Sequence, residues 1–240
     1  MFAVLKNGKT GSVFRKLKIR SQRVTLPGND AFFVVTLENF RGKASLKKLE
    51  DCLGILKKDV LVSGDIPLTE GTDITVFSPD ILPRLLLINS ASDTLKGCRY
   101  KSLILYDEKG IYTHCTAKLT DSFDRIRVVT PFTQKYEEVS RKLMENCGFS
   151  LEVSSCESFG ADVIISHSCR VPLYYSGIVF TNERKYLMNS QVFSGKEITL
   201  PDPYEDLRPE NTDTLIFASA LYEKCGITDL GKLKYTDFGC

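Results

Sequence analysis

The order of hydrophobic and polar residues divides the chain into two regions with different periodicity. Over the first forty residues apolar and polar side chains alternate, which is typical of strands with one buried face. Turns rich in glycine and asparagine separate the alternating runs. The predicted strands are Val13–Phe14, Leu17–Ile19, Arg23–Leu26 and Ala31–Leu37. We therefore expect an antiparallel meander at the beginning of the chain.

A helix is predicted next, followed by two short strands and a second helix. Ser45 is suited to cap the first of these helices, whose apolar residues recur at helical spacing. These residues are Leu46, Leu49, Leu53 and Leu56. The strands are expected at Val60–Val62 and Asp73–Phe77, and the second helix over 80–96. The first part of the chain is thus predicted to be a small, strand-rich α/β domain.

Beyond Gly97 the pattern changes to an alternation of short apolar strands with helices. Five strands are predicted at Leu103–Tyr106, Ile126–Thr130, Leu151–Val153, Val163–Ile165 and Gly177–Phe180. A helix over 133–147 ends before Gly148, a residue suited to a left-handed helix end, and an apolar helix is expected over 214–225. Because strands and helices alternate, we expect a parallel sheet with right-handed crossovers.

We assign the chain to the α/β class, with a small strand-rich domain over 1–98 and a second domain with a mainly parallel sheet over 99–240. The second domain resembles the Rossmann-like dinucleotide-binding domains of the shikimate dehydrogenase and glutamyl-tRNA reductase type. The segments that carry this resemblance are Leu103–Asp107, Ile126–Thr130, the helix ending at Gly148, Ala161–Ser166 and Gly177–Phe180. The resemblance implies a doubly wound sheet and a dinucleotide cofactor.

The glycine-rich turn that binds a dinucleotide is missing from the first strand of this domain. Such a turn carries three glycines so that the backbone can approach the pyrophosphate. Here the segment 107–112 has the single glycine Gly110 and two carboxylates, which repel a pyrophosphate. The second strand ends in Thr130, without an acid to bind the ribose. Gly110 and Thr130 mark the cofactor positions, but NAD(P) is not favoured.

Both histidines of the chain lie in segments that the expected topology brings together. If the strand order is 3-2-1-4-5, ligands bind beyond the carboxyl ends of the first and fourth strands. Asp107, His114 and His167 follow these strands, and we name them as catalytic candidates because a carboxylate can orient a histidine as a general base. Ligand-binding candidates in the same crevice are Ser166, Ser168 and Arg170, of which Arg170 suits an anionic group.

Three alternatives for this crevice remain open. A thiol nucleophile, Cys115 or Cys169, requires a neighbouring imidazole. A zinc site requires ligand spacings that these cysteines and histidines do not show, so no metal is expected. In the third alternative Asp107 caps the following helix, the histidines form local hydrogen bonds, and the crevice binds nothing.

The charges are distributed unevenly along the chain, although the net charge is only +2. Residues 1–48 hold eleven basic and two acidic residues, a net charge of +9, whereas the remainder holds 21 basic and 28 acidic residues, a net charge of −7. In a strand, Lys16, Lys18 and Arg20 share one face and are candidates for anion binding. The alternative, which we favour over nucleic acid, is a solvated face or one that docks on an acidic region or a second subunit.

The composition is that of a globular protein, with 42% hydrophobic and 26% charged residues. We find no secretory leader and no apolar run of membrane-spanning length, and the eight cysteines contain no CxxC pair. These features predict a cytoplasmic protein with reduced thiols and no membrane partner; a homo-oligomer is compatible with them. We expect a non-redox small-ligand binder or an interaction module, the alternatives being an enzyme or a binder of anionic polymers.

Overall fold

The structure, a computed structural model, describes most of the chain. The described residues are 1–8, 16–28, 30–40, 42–63, 66, 68, 72–183 and 187–239. They form two compact units, one of residues 1–82 with 199–230 and one of residues 83–198 with 231–240. These bounds differ from the predicted division after residue 98, because the chain returns to the first unit after completing most of the second.

The strands are β1 (Ala3–Asn7), β2 (Lys18–Thr25), β3 (Ala31–Glu38), β4 (Val60–Ser63), β5 (Tyr100–Tyr106), β6 (Phe123–Val129), β7 (Leu151–Ser154), β8 (Val163–Ser166), β9 (Ser176–Phe180), β10 (Asn189–Gly195) and β11 (Phe238–Gly239). The helices are α1 (Gly42–Leu53), α2 (Leu82–Thr94), α3 (Thr113–Thr116), α4 (Glu137–Cys147), α5 (Tyr204–Leu207) and α6 (Thr214–Cys225). Within the described residues, no helix combines the length and the apolar character needed to cross a membrane.

The first unit contains a four-stranded mixed sheet in the order β2-β3-β1-β4. β1 pairs in parallel with both β3 and β4, and only β2 and β3 are antiparallel neighbours. The predicted antiparallel meander is therefore wrong except for the β2–β3 pair. The predicted strand Val13–Phe14 lies outside the described residues.

Strand β1 was not predicted because its sequence does not alternate. Ala3, Val4 and Leu5 are all completely buried, as expected for a central strand with covered faces. β2 is one continuous strand where two were predicted, and the predicted strand at 73–77 is reduced to a single bridge between Val60 and Val76.

The predicted helices of this unit are present with shifted bounds. α1 begins at Gly42, so Ser45 lies inside the first turns and does not cap the helix. Leu49 of α1 packs in a buried cluster with Leu5 and Val35 of the sheet. α6 matches the prediction in extent and in its burial, and its Phe217 ring lies 6.1 Å from Phe2 and 5.4 Å from Phe32. These ring contacts explain why 199–230 belongs to the first unit.

The second unit contains a seven-stranded sheet in the order β11-β10-β9-β8-β5-β6-β7. All neighbours are parallel except β10 and β11. Counted from β5, the parallel strands follow the order 3-2-1-4-5-6, which is that of the Rossmann fold. The predicted order of five strands is confirmed, and β10 extends it by one.

The central strands of this sheet are buried on both faces, as their apolar sequences predicted. Leu103–Tyr106 of β5 and all of β8 are inaccessible to solvent or nearly so. α4 follows a 3₁₀ turn at Thr133–Tyr136 and ends at Gly148, whose φ of 66° is the predicted left-handed helix end. Because β5 and β8 pair in parallel, their carboxyl ends lie side by side.

Candidate functional site

The carboxylate of Asp107, at the end of β5, is buried and saturated with hydrogen bonds. Its Oδ1 accepts from the amides of Lys109 and Ile111 at 3.3 and 3.0 Å, and its Oδ2 accepts from the amide of Tyr112 at 2.9 Å. The hydroxyl of Tyr136 donates to the same Oδ2. Asp107 is 1% exposed. The side chain therefore organises the turn after β5, but it does not cap α3 as the capping alternative predicted, since no side chain hydrogen-bonds at the N-cap of that helix.

The turn after β5 does not fit the pyrophosphate of a dinucleotide. In a dinucleotide-binding turn the backbone amides face the phosphates, but here three amides are bound to the chain's own Asp107. Gly110 has a φ of 65°, and a Cβ built on it would lie 2.9 Å from Lys135 and 3.0 Å from Phe132. Side chains thus cover the one glycine of the turn.

Glu108 joins the carboxyl ends of β5 and β8 through an ion-pair network. Its Oε2 lies 3.0 Å from the guanidinium of Arg84 in α2. Its Oε1 accepts from the Ser168 hydroxyl at 2.7 Å and lies 3.1 Å from Arg170. Arg170 also reaches Glu157 at 3.4 Å. The predicted candidates Ser168 and Arg170 are therefore brought together at the switch point, but they bind the chain's own carboxylate.

The network determines the ionisation of Glu108. Burial by itself raises the pKa of this carboxyl group. The hydrogen bonds from Ser168 and Arg84 and the charges of Arg84 and Arg170 together outweigh burial and bring the pKa below its ordinary value. Since the side chain of Arg84 is only 8% exposed, the carboxylate also neutralises a buried cation.

The two histidines have different surroundings. His114, in α3, is exposed and lines two surface clefts of about 870 and 390 Å³, neither of which His167 lines. His167 lies against Asn182, whose Nδ2 is 2.8 Å from the imidazole Nδ1. Asn182 also donates to the Pro83 carbonyl and accepts from the Tyr235 hydroxyl. Asp107 accepts from backbone amides and Tyr136, and these contacts do not pair it with either histidine as a general base would require.

The remaining candidates of the second unit make local contacts. The Thr130 hydroxyl accepts from the amide of Phe132 at 3.1 Å, and the Ser166 hydroxyl donates to the Ser168 carbonyl at 2.7 Å. Burial raises the pKa of the Cys115 thiol despite the opposing charge of Lys118, so this thiol is not activated as a nucleophile. Cys169 is buried in an apolar cluster. Within the described residues, no three potential metal ligands come together.

A polar cleft of about 1000 Å³ lies on one face of the four-stranded sheet in the first unit. Four of its lining residues form a polar row across the strands: Arg20 is in register with Thr36, Thr36 with Lys6, and Lys6 with Ser63. The row belongs to β2, β3, β1 and β4 in turn. It lies near the carboxyl ends of the three parallel strands, the end at which ligands bind in such sheets.

The same face of the sheet is apolar one step deeper. Val4 is in register with Val34 on β3 and Leu61 on β4, and all three are buried. The face therefore changes from apolar to polar within two residues along β1, β3 and β4. The burial of Val4, Val34 and Leu61 stabilises the fold. The fold has no comparable need for a polar side chain at every position of the next row.

The outer wall of the cleft is fixed to the sheet. The Ser63 hydroxyl donates to the carbonyl of Glu210 at 2.6 Å, and the lining residue Asn211 adopts a φ of 60°. Arg208 donates to the Thr212 carbonyl at 2.8 Å. These bonds hold a loop, rather than a mobile tail, along one side of the polar row.

The predicted anion-binding residues are only partly aligned. Lys18 and Arg20 lie in β2 on the same face, whereas Lys16 precedes the strand. Arg20 forms an ion pair with Glu38 at 3.1 Å, and Lys18 is in register with the same glutamate. Arg20 alone of these three lines the polar cleft.

The polar row was missed because its recognition requires the strand pairing. Each strand shows the signal locally: Lys6 follows buried Val4 on its face, Thr36 follows Val34, and Ser63 follows Leu61. A predicted sheet that omits β1 cannot bring these changes into one line. With β1 in its central position, the three changes fall in one line.

Comparison with known proteins gives distant structural similarities. No family model and no curated protein matches it. Among solved structures, L-tryptophan dehydrogenase from Nostoc punctiforme is similar at a TM-score of 0.33 and 14% identity, over 68% of this chain and 54% of that one. HcgC from Methanococcus maripaludis, cocrystallised with SAH and pyridinol, gives 0.33 and 11%, over 62% and 65%. Shikimate dehydrogenase in complex with NADP⁺ gives 0.33 and 11%, over 84% and 83%.

These similarities concern the fold alone. The chain spans about half the length of the tryptophan dehydrogenase that it matches. The predicted resemblance to Rossmann-like domains is confirmed at the level of fold, and the strand order of the second unit is its strongest support. The chain is thus a mixed α/β protein with a distant Rossmann-like resemblance.

Proposed function

We propose that this protein binds a small polar carboxylic acid in the polar cleft of its first unit and does so without redox chemistry. The polar row formed by Arg20, Thr36, Lys6 and Ser63 carries the proposal. Four strands contribute to it in register, and on β1, β3 and β4 it follows a buried apolar row at the ligand-binding end of the sheet. The ligand was expected at the switch point of the second unit, whereas the polar cleft lies in the first unit.

The side chains of the cleft define the class of ligand. Lys6 and Arg20 supply positive charge for a carboxylate, and the hydroxyls of Thr36 and Ser63 suit the hydroxyl or amino groups of the same molecule. Glu38, paired with Arg20, orients the guanidinium and offers an acceptor. A volume of about 1000 Å³ lies at the upper end of the range for small-molecule sites.

The absence of a redox step is proposed from the turn after β5. Its amides are bound to Asp107, and Glu108 beside it is bound to Arg84, Ser168 and Arg170. A pyrophosphate there would have to displace buried, charge-assisted hydrogen bonds. The cost of each such exchange is about 1.5–3 kcal/mol. The second unit therefore keeps the strand order of a dinucleotide fold with the phosphate position taken by its own carboxylate.

The test is a thermal-shift and calorimetric titration of the full chain with citrate, tartrate and glutamate, and with glucose as the uncharged control. We expect at least one acid to raise the melting temperature, since a ligand at 100 times its Kd adds about 2.7 kcal/mol. Glucose should have no effect. The proposal fails if none of the three acids binds.

Matched variants locate the binding. Lys6→Met and Thr36→Val remove a charge and a hydroxyl from the polar row while keeping strand-forming side chains. Lys18→Met is the control, because Lys18 lies on the same face of β2 but outside the cleft. Binding should weaken at least tenfold in the first two variants and remain unchanged in the third. NAD⁺ and NADP⁺ are titrated in parallel, and binding of either would contradict the non-redox part.

A further inference from the structure

A second cleft, in the Rossmann-like unit, is rich in basic side chains. It has a volume of about 870 Å³ and lies between the end of α2, the segment before β5, α3 with its following 3₁₀ turn, and the chain at 231–234. Five basic and two acidic side chains line it. They are Lys96, Arg99, Lys118, Lys232 and Lys234, with Asp93 and Asp121. We call it the basic cleft.

The basic cleft does not reflect the local composition. Residues 49–240 carry 21 basic and 28 acidic residues, so an average surface of this region is acidic. Lys234 forms an ion pair with Asp93 at 2.8 Å, and Arg99 forms one with Asp124 at 3.0 Å. Positive charges gathered around a concave surface raise the electrostatic potential inside it, so an anion in the cleft is favoured.

Hydrogen bonds within the unit hold the walls of the basic cleft in place. The Asn89 side chain on α2 donates to the carbonyls of Gly231 and Leu233 at 2.8 and 2.9 Å. The amide of Tyr235 donates to the Ser90 hydroxyl at 2.9 Å. The chain at 231–235 is therefore anchored on α2, which fixes the backbone that carries Lys232 and Lys234.

The opposite wall is anchored as well. The Ser122 hydroxyl donates to the Leu95 carbonyl at 3.2 Å, which ties the 3₁₀ turn after α3 to the end of α2. This turn carries Lys118, and His114 precedes it in α3. Basic side chains thus project from three anchored segments, and a ligand does not have to order the backbone before it binds.

From this arrangement we propose that the basic cleft binds a small, multiply charged phosphorylated molecule. The shape favours a small anion over a nucleic acid, because the charges surround a cavity and do not form an extended strip that follows a phosphate backbone. The site is separate in its residues from the polar cleft of the first unit, and its existence does not depend on the function proposed there.

The two histidines provide the readout, since His114 lines the basic cleft and His167 does not. The full chain, with ¹⁵N-labelled histidine, is titrated with inorganic pyrophosphate while the imidazole resonances are followed by NMR. We expect the His114 resonances to shift in a saturable way and those of His167 to remain in place. Absence of a His114 shift, or equal shifts of both, would overturn the proposal.

Variants identify the cleft, because His114 also lines a smaller neighbouring cleft with Lys142. Lys96→Ala with Lys118→Ala removes two charges from the basic cleft, and Lys101→Ala with Lys142→Ala removes two charges outside it. The first pair should raise the Kd for pyrophosphate about tenfold or more, and the second less than twofold. The unchanged His167 resonances report that each variant remains folded.

Two outcomes with the variants, and one of a competition with DNA, contradict the proposal. The control pair weakening pyrophosphate binding as much as the cleft pair would assign the anion to the neighbouring cleft or to the general surface. Unchanged pyrophosphate binding in the Lys96→Ala, Lys118→Ala variant would likewise assign the anion to a surface outside the basic cleft. A single-stranded DNA 20-mer that competes for the cleft with higher affinity than pyrophosphate would replace the small anion by a nucleic acid.

Discussion

The hydroxyl of Tyr136 donates a hydrogen bond to the buried carboxylate of Asp107 and thereby connects the turn after β6 to the end of β5. Both side chains are inaccessible to solvent or nearly so. Burial, then the charge of Asp107 and the hydrogen bond to it, raise the pKa of Tyr136. The phenol is therefore a permanent donor at neutral pH, and Asp107 is the acceptor around which the turn folds.

We predict that Tyr136→Phe lowers the free energy of unfolding by about 1.5–3 kcal/mol, the value of a hydrogen bond to a charged group. Asp107→Asn should cost more, because an amide offers one acceptor oxygen to four donors and places its own N–H groups against them. Urea denaturation of both variants and of the double variant measures this. Additive losses would show that the two side chains do not interact.

Glu108→Gln should destabilise the protein by about 1–3 kcal/mol at neutral pH, because the nearly buried Arg84 loses its counter-charge. The pKa of Glu108 is lower in the folded protein than its ordinary value of 4.5, so its ionised form contributes stability above that value. This contribution is lost as the pH falls through the ordinary and then the folded pKa.

The difference between the wild type and Glu108→Gln should therefore be largest near pH 7 and shrink toward pH 3. Denaturation curves at several pH values measure it. Glu145→Gln is the control, since Glu145 forms an exposed pair with Arg141 and its loss should change stability little at any pH. A difference that grows on acidification would contradict the assigned direction of the pKa shift.

Gly110→Ala and Gly148→Ala separate backbone strain from side-chain contact. The two glycines have φ values of 65° and 66°, so each alanine costs roughly 1–2 kcal/mol for the left-handed conformation. Only at Gly110 would the new Cβ also approach Lys135 and Phe132, at 2.9 and 3.0 Å. We expect Gly110→Ala to be the more destabilising by about 1 kcal/mol. Equal losses in thermal or urea denaturation would mean that these neighbours move aside freely.

The second unit was largely predictable because its signals are local. Apolar runs such as Leu103–Tyr106 predict strands buried on both faces, and Gly148 predicts a helix end from its own conformation. Alternation with helices then limits the sheet to a parallel topology. β10 was missed, since its sequence Asn189–Gly195 mixes polar and apolar residues and carries no comparable run.

The first unit and the candidate sites were less predictable because they depend on pairing between distant residues. β1 contacts β3 about thirty residues later and β4 about sixty residues later, and nothing within β1 specifies either partner. Asp107 and His167 were correctly located at strand ends. Whether such a residue faces a ligand or the protein depends on its hydrogen-bond donors, for example Tyr136 for Asp107 and Asn182 for His167.

The network around Asn182 predicts the tautomer of His167. The Pro83 carbonyl can only accept, so Asn182 Nδ2 is the donor toward it and toward the imidazole Nδ1, while Asn182 Oδ1 accepts from the Tyr235 hydroxyl at 2.9 Å. His167 Nδ1 must then accept, and the proton of the neutral ring lies on Nε2. The ¹⁵N shifts of the imidazole should show this tautomer at pH 8.

Tyr235→Phe removes one hydrogen bond to Asn182 Oδ1, so we expect stability to fall by about 1 kcal/mol, while the Pro83 carbonyl still orients the amide and the Nε2–H tautomer of His167 persists. Tyr174→Phe is the control, because Tyr174 is 82% exposed. Loss of the Nε2–H tautomer in Tyr235→Phe would show that the hydroxyl, and not the Pro83 carbonyl, orients the amide. If His167 instead carries its proton on Nδ1 in the wild type, the amide must be reversed, which would place Asn182 Oδ1 against the carbonyl oxygen of Pro83.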